Sequence, residues 1–283
     1  MGGVQTFDVI CAGEALWNVT PPEGAPRPTG RLRFVPGGGA VNAALCLAEA
    51  GIRVGLATAV EDDRFGRAFL ERVASAGVDV GGVTLSQAHT GLVFVARIGG
   101  ARQLVPFRRE EQPVTVPEEW SAAVLLISGL SPVVAHAASL CKAARAARRR
   151  GTLVVIDVNA RRRVWEGRDP RAMFMLVREA DVVRCSAEDH HALGLDATAM
   201  RRAMRTNAVF VGSNEAGNAW AAGPFGEVAR GAPSKAPRVI GAGDIFTAAM
   251  CAQLARVEHA AEANADVWQG VLGRGQAACA SAS

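Results

Sequence analysis

The chain has 283 residues, 49% of them hydrophobic and 20% charged, with 31 glycines, 13 prolines and no tyrosine. That length gives one large domain or two modest ones with ample material for a core, and the composition excludes disordered, collagen-like, mucin-like and prion-like classes. Lysine and arginine total 31 against 27 acidic residues, a net charge of +4 that suits anionic ligands but is too small to argue for nucleic acid.

Six cysteines, Cys11, Cys46, Cys141, Cys185, Cys251 and Cys279, are scattered without CxxC spacing, which suggests neither a zinc site nor a disulfide framework and fits reduced thiols. The N-terminus MGGVQTFDVICAGEA has no basic segment followed by an apolar one. No run of about 18 apolar residues occurs anywhere, so the expectation is a cytoplasmic, non-membrane protein.

Short β-branched runs alternate with alanine-rich stretches of helical period, which predicts an α/β chain with a parallel sheet between helices. The clearest strands are Phe7–Ala12, Val54–Val60, Val124–Ile127, Leu153–Asp157, Val182–Arg184 and Ala208–Val211. Helices are expected near 40–51, 64–77, 133–150, 170–179, 187–193 and 242–256. Residues 14–36 and 88–112 break this pattern; they read as hairpin strands, with a turn at Gly99-Gly100, forming a small antiparallel lid over the strand ends. The chain from 1 to 283 is expected to be one domain, with Ala277–Ser283 fraying.

Ligands of open α/β sheets bind at the carboxyl ends of the strands. Gly241-Ala242-Gly243-Asp244, followed by an apolar helix-forming run, places two glycines at a helix start, where backbone N–H groups converge on an anion. Asp244 in such a cradle can accept a proton from an attacking hydroxyl, or can simply cap the helix. The segment is not a dinucleotide fingerprint, because Phe246 takes the third glycine position, and no GxxxxGK[ST] loop exists.

With these residues the chain resembles the ribokinase-like, or PfkB, carbohydrate kinases, in which a GAGD segment opens a helix and supplies the catalytic base. The resemblance runs through Gly13-Glu14-Ala15-Leu16, Pro36-Gly37-Gly38-Gly39-Ala40-Val41-Asn42, Asp63-Arg64-Phe65-Gly66, Ala76-Gly77-Val78-Asp79 and Thr90-Gly91. Asp157-Val158-Asn159-Ala160-Arg161 with Trp165 resembles the DxNxR…W segment of the fructokinase and 2-keto-3-deoxygluconate kinase branches. The implied fold is a mostly parallel sheet flanked by helices with a β lid, and the implied cofactors are ATP and Mg²⁺.

The resemblance implies Asp244 as base and Gly241, Ala242 and Gly243 as anion hole. Asn18, Gly37, Gly38, Asn42 and Arg161 would meet the sugar, since amides offer both a donor and an acceptor to hydroxyls and the arginine fork suits a sugar acid. Ser186, Gly217 and Arg238 fall where the nucleotide is expected. Glu188 or Asp189 would face Mg²⁺; neighbours on a helix point about 100° apart, so one of the two is expected to serve.

Other charged groups have plainer readings. Arg148-Arg149-Arg150 and the run Arg161-Arg162-Arg163 read as solvated arginines, with Arg161 alone also fitting the site. His190-His191 is structural, because neighbours cannot share a helix face. Glu61-Asp62-Asp63 is a solvated turn, with Glu61 where relatives carry glycine.

The chain departs from the family at Asn18, where relatives carry Asp, at Arg238-Val239-Ile240 in place of D-T-x, and at Gly212–Gly217 in place of TxGxxG. Gln269–Ser283 resembles the family's last helix cut short. The leading expectation is therefore ATP-dependent phosphorylation of a primary hydroxyl on a sugar or sugar acid, leaning to ketoses or ketosugar acids. The alternative is a diverged member that binds a sugar or nucleotide without transferring phosphate. A homodimer through exposed lid edges is a further expectation.

Overall fold

The computed structural model describes residues 4–20, 31–87, 91–98, 101–107, 114–129, 131–232, 241–258 and 260–282. The Gly99-Gly100 turn, Thr90 and the Arg238-Val239-Ile240 segment lie outside the described residues.

The chain opens with β1 (Gln5–Gly13), β2 (Leu16–Thr20), β3 (Arg33–Gly37), α1 (Gly39–Glu49), β4 (Val54–Glu61), α2 (Arg64–Ser75) and β5 (Asp79–Ser86). It continues through β6 (Leu92–Ile98), β7 (Ala101–Phe107), β8 (Trp120–Ser128), α3 (Ser131–Arg149) and β9 (Leu153–Asp157). After the short helices α4 (Arg162–Trp165) and α5 (Phe174–Val177) come β10 (Val182–Ser186), α6 (Ala187–Leu193), α7 (Ala197–Ala203) and β11 (Val209–Ser213). The last elements are β12 (Ala219–Gly223), β13 (Gly226–Arg230), α8 (Ala242–Leu254) and α9 (Ala265–Ser281).

The central sheet runs β13-β12-β11-β10-β9-β8-β1-β4-β5. Its pairs are parallel from β11 to β5, with β12 and β13 added antiparallel. Strands covered on both faces carry unbroken apolar runs rather than alternation. Leu153–Ile156 show it: Leu153 and Val155 pack with α1, α2, α8 and α9, while Val154 and Ile156 pack with α3, α5 and α6. All six expected strands are present.

The lid is a second sheet in the order β3-β2-β6-β7. Both of its hairpins are antiparallel, but the central β2·β6 pair is parallel, unlike a wholly antiparallel flap. The reason is topological: β1 and β5 are parallel core strands, so the strands that follow them leave the same edge in the same direction.

Three expectations need correction. The helix expected over 170–179 is a 3₁₀ turn, Pro170–Met173, followed by α5, because Asp169 caps the backbone N–H of Arg171 and Pro170 sits in the first turn. Glu61 is not solvated: it ends β4 at 5% exposure. In the same cluster Asp63 caps α2 by accepting from the Gly66 amide at 2.7 Å. Finally, the tail does not fray at Ala277, since α9 stays helical to Ser281. Among the described residues no helix is long and apolar enough to cross a membrane.

Candidate active site

The carboxyl ends of β1, β8, β9 and β10 converge on the start of α8. Gly241 adopts a left-handed conformation (φ 85°) as its N-cap and offers no side-chain acceptor. The amides of the first turn therefore lack both intrahelical and capping partners, which leaves them, with the helix dipole, for an anion.

Asp244 sits in that turn, 4% exposed. The Nδ2 of Asn42, from α1, donates to its Oδ2 at 2.7 Å, and the Nδ2 of Asn159, just past β9, donates to its Oδ1 at 2.7 Å. Burial pushes the carboxyl up to about 6 and the nearby Asp157 adds to the shift, while the Asn42 hydrogen bond, Arg161 and Arg184 pull the other way. The result is a carboxylate mostly ionised at neutral pH, yet basic enough to take a proton.

Asn159 reaches Asp244 from the one non-glycine residue with positive φ among the described residues, 41°, a conformation asparagine tolerates better than most. Its amide also donates to Ser128 Oγ at 3.2 Å, and Ser128 Oγ stands 3.4 Å from Asp157 Oδ2. Gly39 makes room for this arrangement: a Cβ there would lie 2.3 Å from Asn159 Nδ2 and 2.5 Å from Ser128 Oγ. A polar chain, partly buried at Asn159 and buried at Ser128 and Asp157, thus joins Asp244 to Asp157.

Beside it opens a cavity of about 460 Å³. Its walls include Asn159, Arg161, Arg184 and Gly241–Gly243, with Cys279 Sγ 3.1 Å from the Ala242 carbonyl, and residues 213–217 with Gln276. Gln276, on α9, donates both amide hydrogens to carbonyls, Gly217 and Gly231, each at 2.9 Å, and so fastens the 213–217 wall to the last helix.

A model described as pfkB family carbohydrate kinase matches residues 6–267. The chain belongs to the pfkB family. A 5-dehydro-2-deoxygluconokinase of Shouchella clausii is 28% identical over 277 residues, 89% of this chain and 84% of that protein. A protein of the same name from Clostridium perfringens is 25% identical over 201 residues, 65% of this chain, and the match spans 59% of that protein's length. Among solved structures, fructokinase with bound ATP from Xylella fastidiosa has a TM-score of 0.81 at 23% identity, covering 97% of this chain and 90% of that one. Aminoimidazole riboside kinase from Salmonella enterica, complexed with aminoimidazole riboside and an ATP analogue, gives 0.76 at 20% identity, covering 98% and 92%. At these identities the likeness is one of fold, and it extends over the whole pfkB core and lid.

Within the pfkB frame, the structure brings Gly241, Ala242, Gly243, Asp244 and Asn42 together. Gly37 and Asn18 meet in the lid, where a Cβ on Gly37 would lie 2.1 Å from the Asn18 amide nitrogen, so a side chain there would displace that amide. Gly38, with φ 104°, caps α1 and leads from the lid into the helix that carries Asn42. Arg161 lines the cavity, its Nη1 donating to the Ala160 carbonyl at 2.9 Å and its Nε 3.6 Å from Glu188. Arg238 lies outside the described residues.

The two acidic candidates are placed differently. Asp189 is fully buried and accepts from the Ala160 amide and from the amide and hydroxyl of Ser186, each at 2.6 Å, completing a capping box with Ser186 at the start of α6. Glu188 is largely exposed and lines the cavity together with Ser186. His190 donates from Nδ1 to the Leu195 carbonyl at 2.9 Å, a structural bond. Among the described residues no group of three or more His, Cys, Asp or Glu is placed to hold a metal ion unaided.

Sequence reasoning passed over Asn159, Asp157 and Arg184 as site residues. Asn159 stood inside the DxNxR segment. Arg184 carried a subtler signal: a lone charge in the apolar run of a strand buried on both faces.

Proposed function

We propose that this protein is an ATP-dependent kinase that phosphorylates a primary hydroxyl of a sugar or sugar acid. The observation that carries the proposal is Asp244: a buried carboxylate held by two asparagine amides in the first turn of α8, directly after the Gly241–Gly243 segment that lines the cavity. The hydroxyl oxygen attacks the γ-phosphorus in line, its proton passes to Asp244, the new P–O bond forms, and the bond to the β-phosphate oxygen breaks to release ADP. The amides of Gly241, Ala242 and Gly243 offset charge growing on the transferred group.

The adenosine end fits the wall of 213–217 and Gln276. Glu188 suits Mg²⁺ held through water, because its largely exposed carboxylate lines the cavity with only Arg161 Nε, at 3.6 Å, as its ion-pair partner, whereas both oxygens of Asp189 are taken up by protein donors. When bound, that ion would neutralise phosphate charge. Asn18, Gly37 and Gly38 border the sugar, and Arg161 suits the carboxylate of a sugar acid. Relatives named fructokinase and 5-dehydro-2-deoxygluconokinase favour ketoses and ketosugar acids as first candidates. Six free cysteines support a cytoplasmic location.

The test is ADP release with ATP and Mg²⁺ against ketoses, sugar acids, pentoses and nucleosides. Sugar-dependent release that falls about 10²–10⁴-fold in Asp244→Asn, with sugar binding retained, is the expected result. Unchanged turnover in that variant would remove Asp244 as base. Folded wild-type protein that binds sugar and releases no ADP would instead establish the diverged, non-transferring alternative.

A further inference from the structure

Arg184 is the third residue of β10, between Val183 and Cys185, both fully buried. Its side chain is only 9% exposed. Burying a guanidinium is costly unless its charge and its donors are met. The charge has a partner: Nη1 donates to Asp157 Oδ1 at 3.2 Å. Asp157 is in turn fixed on its other oxygen by Thr247, whose hydroxyl stands 2.9 Å from Oδ2.

The donors are not used up. A guanidinium has five N–H groups in a planar fork, and among the described residues the bond to Asp157 is the only hydrogen bond the Arg184 side chain makes. The remaining edge faces the cavity. It runs beneath the anion-binding turn, so close that a Cβ on Gly243 would lie 3.2 Å from Nη1 and 3.3 Å from Nη2. The face of the guanidinium lies 5.9 Å from the centroid of the Phe246 ring, which closes one side and helps hold the plane.

A cation clamped from behind, with an open edge beside a helix N-terminus, is built for an anion with several oxygens. We propose that Arg184 contacts the polyphosphate of the bound nucleotide, its free edge meeting phosphate oxygens next to the Gly243 amide while Asp157 and Thr247 hold it in place. The proposal deepens the kinase reading and rests on it for the identity of the nucleotide. Gly243 then has two jobs, offering an amide to the anion and leaving room for the arginine below.

The experiment compares binding of ATP with binding of adenosine, by calorimetry, in wild type, Arg184→Lys and Arg184→Met. Because Arg184→Met strands the buried Asp157 charge and can fail to fold, Arg184→Met with Asp157→Asn removes both charges together. The expected result is ATP affinity lowered about 10- to 100-fold in both methionine variants, the worth of charge-assisted hydrogen bonds. Adenosine affinity should stay within about twofold, and lysine should recover part of the loss.

A purely structural ion pair would weaken ATP and adenosine alike, or neither in the double variant, and either outcome overturns the proposal. So does a wild-type protein that binds adenosine as tightly as ATP. Turnover with the Asp244→Asn control reports separately on the kinase assignment, so each idea can fail while the other stands.

Discussion

At the scale of single residues, the site is organised around the cost of keeping Asp244 charged. Its folded value of about 6 lies above the usual 3.8, so the folded protein holds this proton more tightly than the unfolded chain does. The stabilisation that results is complete below pH 3.8 and is lost as pH rises through 6. Above that, the ionised carboxylate costs the fold about 3 kcal/mol, two pH units at about 1.4 each. Asp244→Asn should therefore unfold at higher temperature than wild type at pH 8 and at about the same temperature at pH 3.5, while losing turnover. Equal stability at both pH values would show that burial does not tax this group. The same carboxyl should set the acidic limb of the rate profile near pH 6. Asn42→Ala removes a donor to the charged form, so in the residual activity that limb should move up by about one unit; an unmoved limb assigns it to another group. Asp244 was legible in the sequence because glycine spacing marks the turn that carries it. Asn159 and Arg184 were not, since their meaning depends on β9, β10 and α8 meeting in space.

At the scale of elements, helix starts are shaped by what they approach rather than by propensity. Gly39 opens α1, where alanine would ordinarily favour the helix. Its Cβ would nevertheless strike Asn159 and Ser128. Gly39→Ala is expected to lower thermal stability instead of raising it and to cut turnover about 10²-fold by displacing the Asn159 amide from Asp244. A stabilised, fully active variant would mean that the β9 loop yields freely. At the 213–217 wall of the cavity, α9 works as a clamp through Gln276. Gln276→Leu leaves the Gly217 and Gly231 carbonyls without their donors, and KM for ATP should rise about tenfold with KM for the sugar unchanged. The parallel strands were legible because strands buried on both faces read as apolar runs, and α2 because its residues keep a regular helical period; the Asp63 cap that starts it reads in the sequence as a solvated turn. By contrast, β5 was hidden by Gly81-Gly82, which breaks its pattern so that the Trp120 ring can pack on it: a Cβ on Gly82 would lie 2.6 Å from that ring. The antiparallel pair β12 and β13 is too short and too rich in alanine and glycine to announce itself, although it carries the far wall of the sheet.

At the scale of the whole molecule, the lid is the part whose sequence and structure leave apolar surface uncovered. Strand alternation should hide one of any two neighbouring side chains, yet Phe34 and Val35 on β3 are both 43% exposed, so neither face of that strand is closed. Phe34 continues into a patch with Phe65 of α2, their rings 5.8 Å apart, and Phe107 at the end of β7 is 69% exposed. Both outer strands of this sheet, β3 and β7, have a partner on one side only among the described residues. Open edges and contiguous exposed aromatics are costly to leave in water, and a monomer usually blunts them with charge or cover. A second copy of the chain supplies matching edges and matching apolar faces at once, which is the arrangement we expect in solution. Sedimentation velocity should then give a dimer for the wild type and a monomer for Phe34→Glu with Phe107→Glu, because charges placed on the two outer strands of this sheet cannot be buried against one another. The core sheet is untouched by these changes, so far-ultraviolet circular dichroism should stay the same in the variant. A wild-type monomer, or a dimer that persists in the double variant, would show that these exposed strands do not pair between copies of the chain.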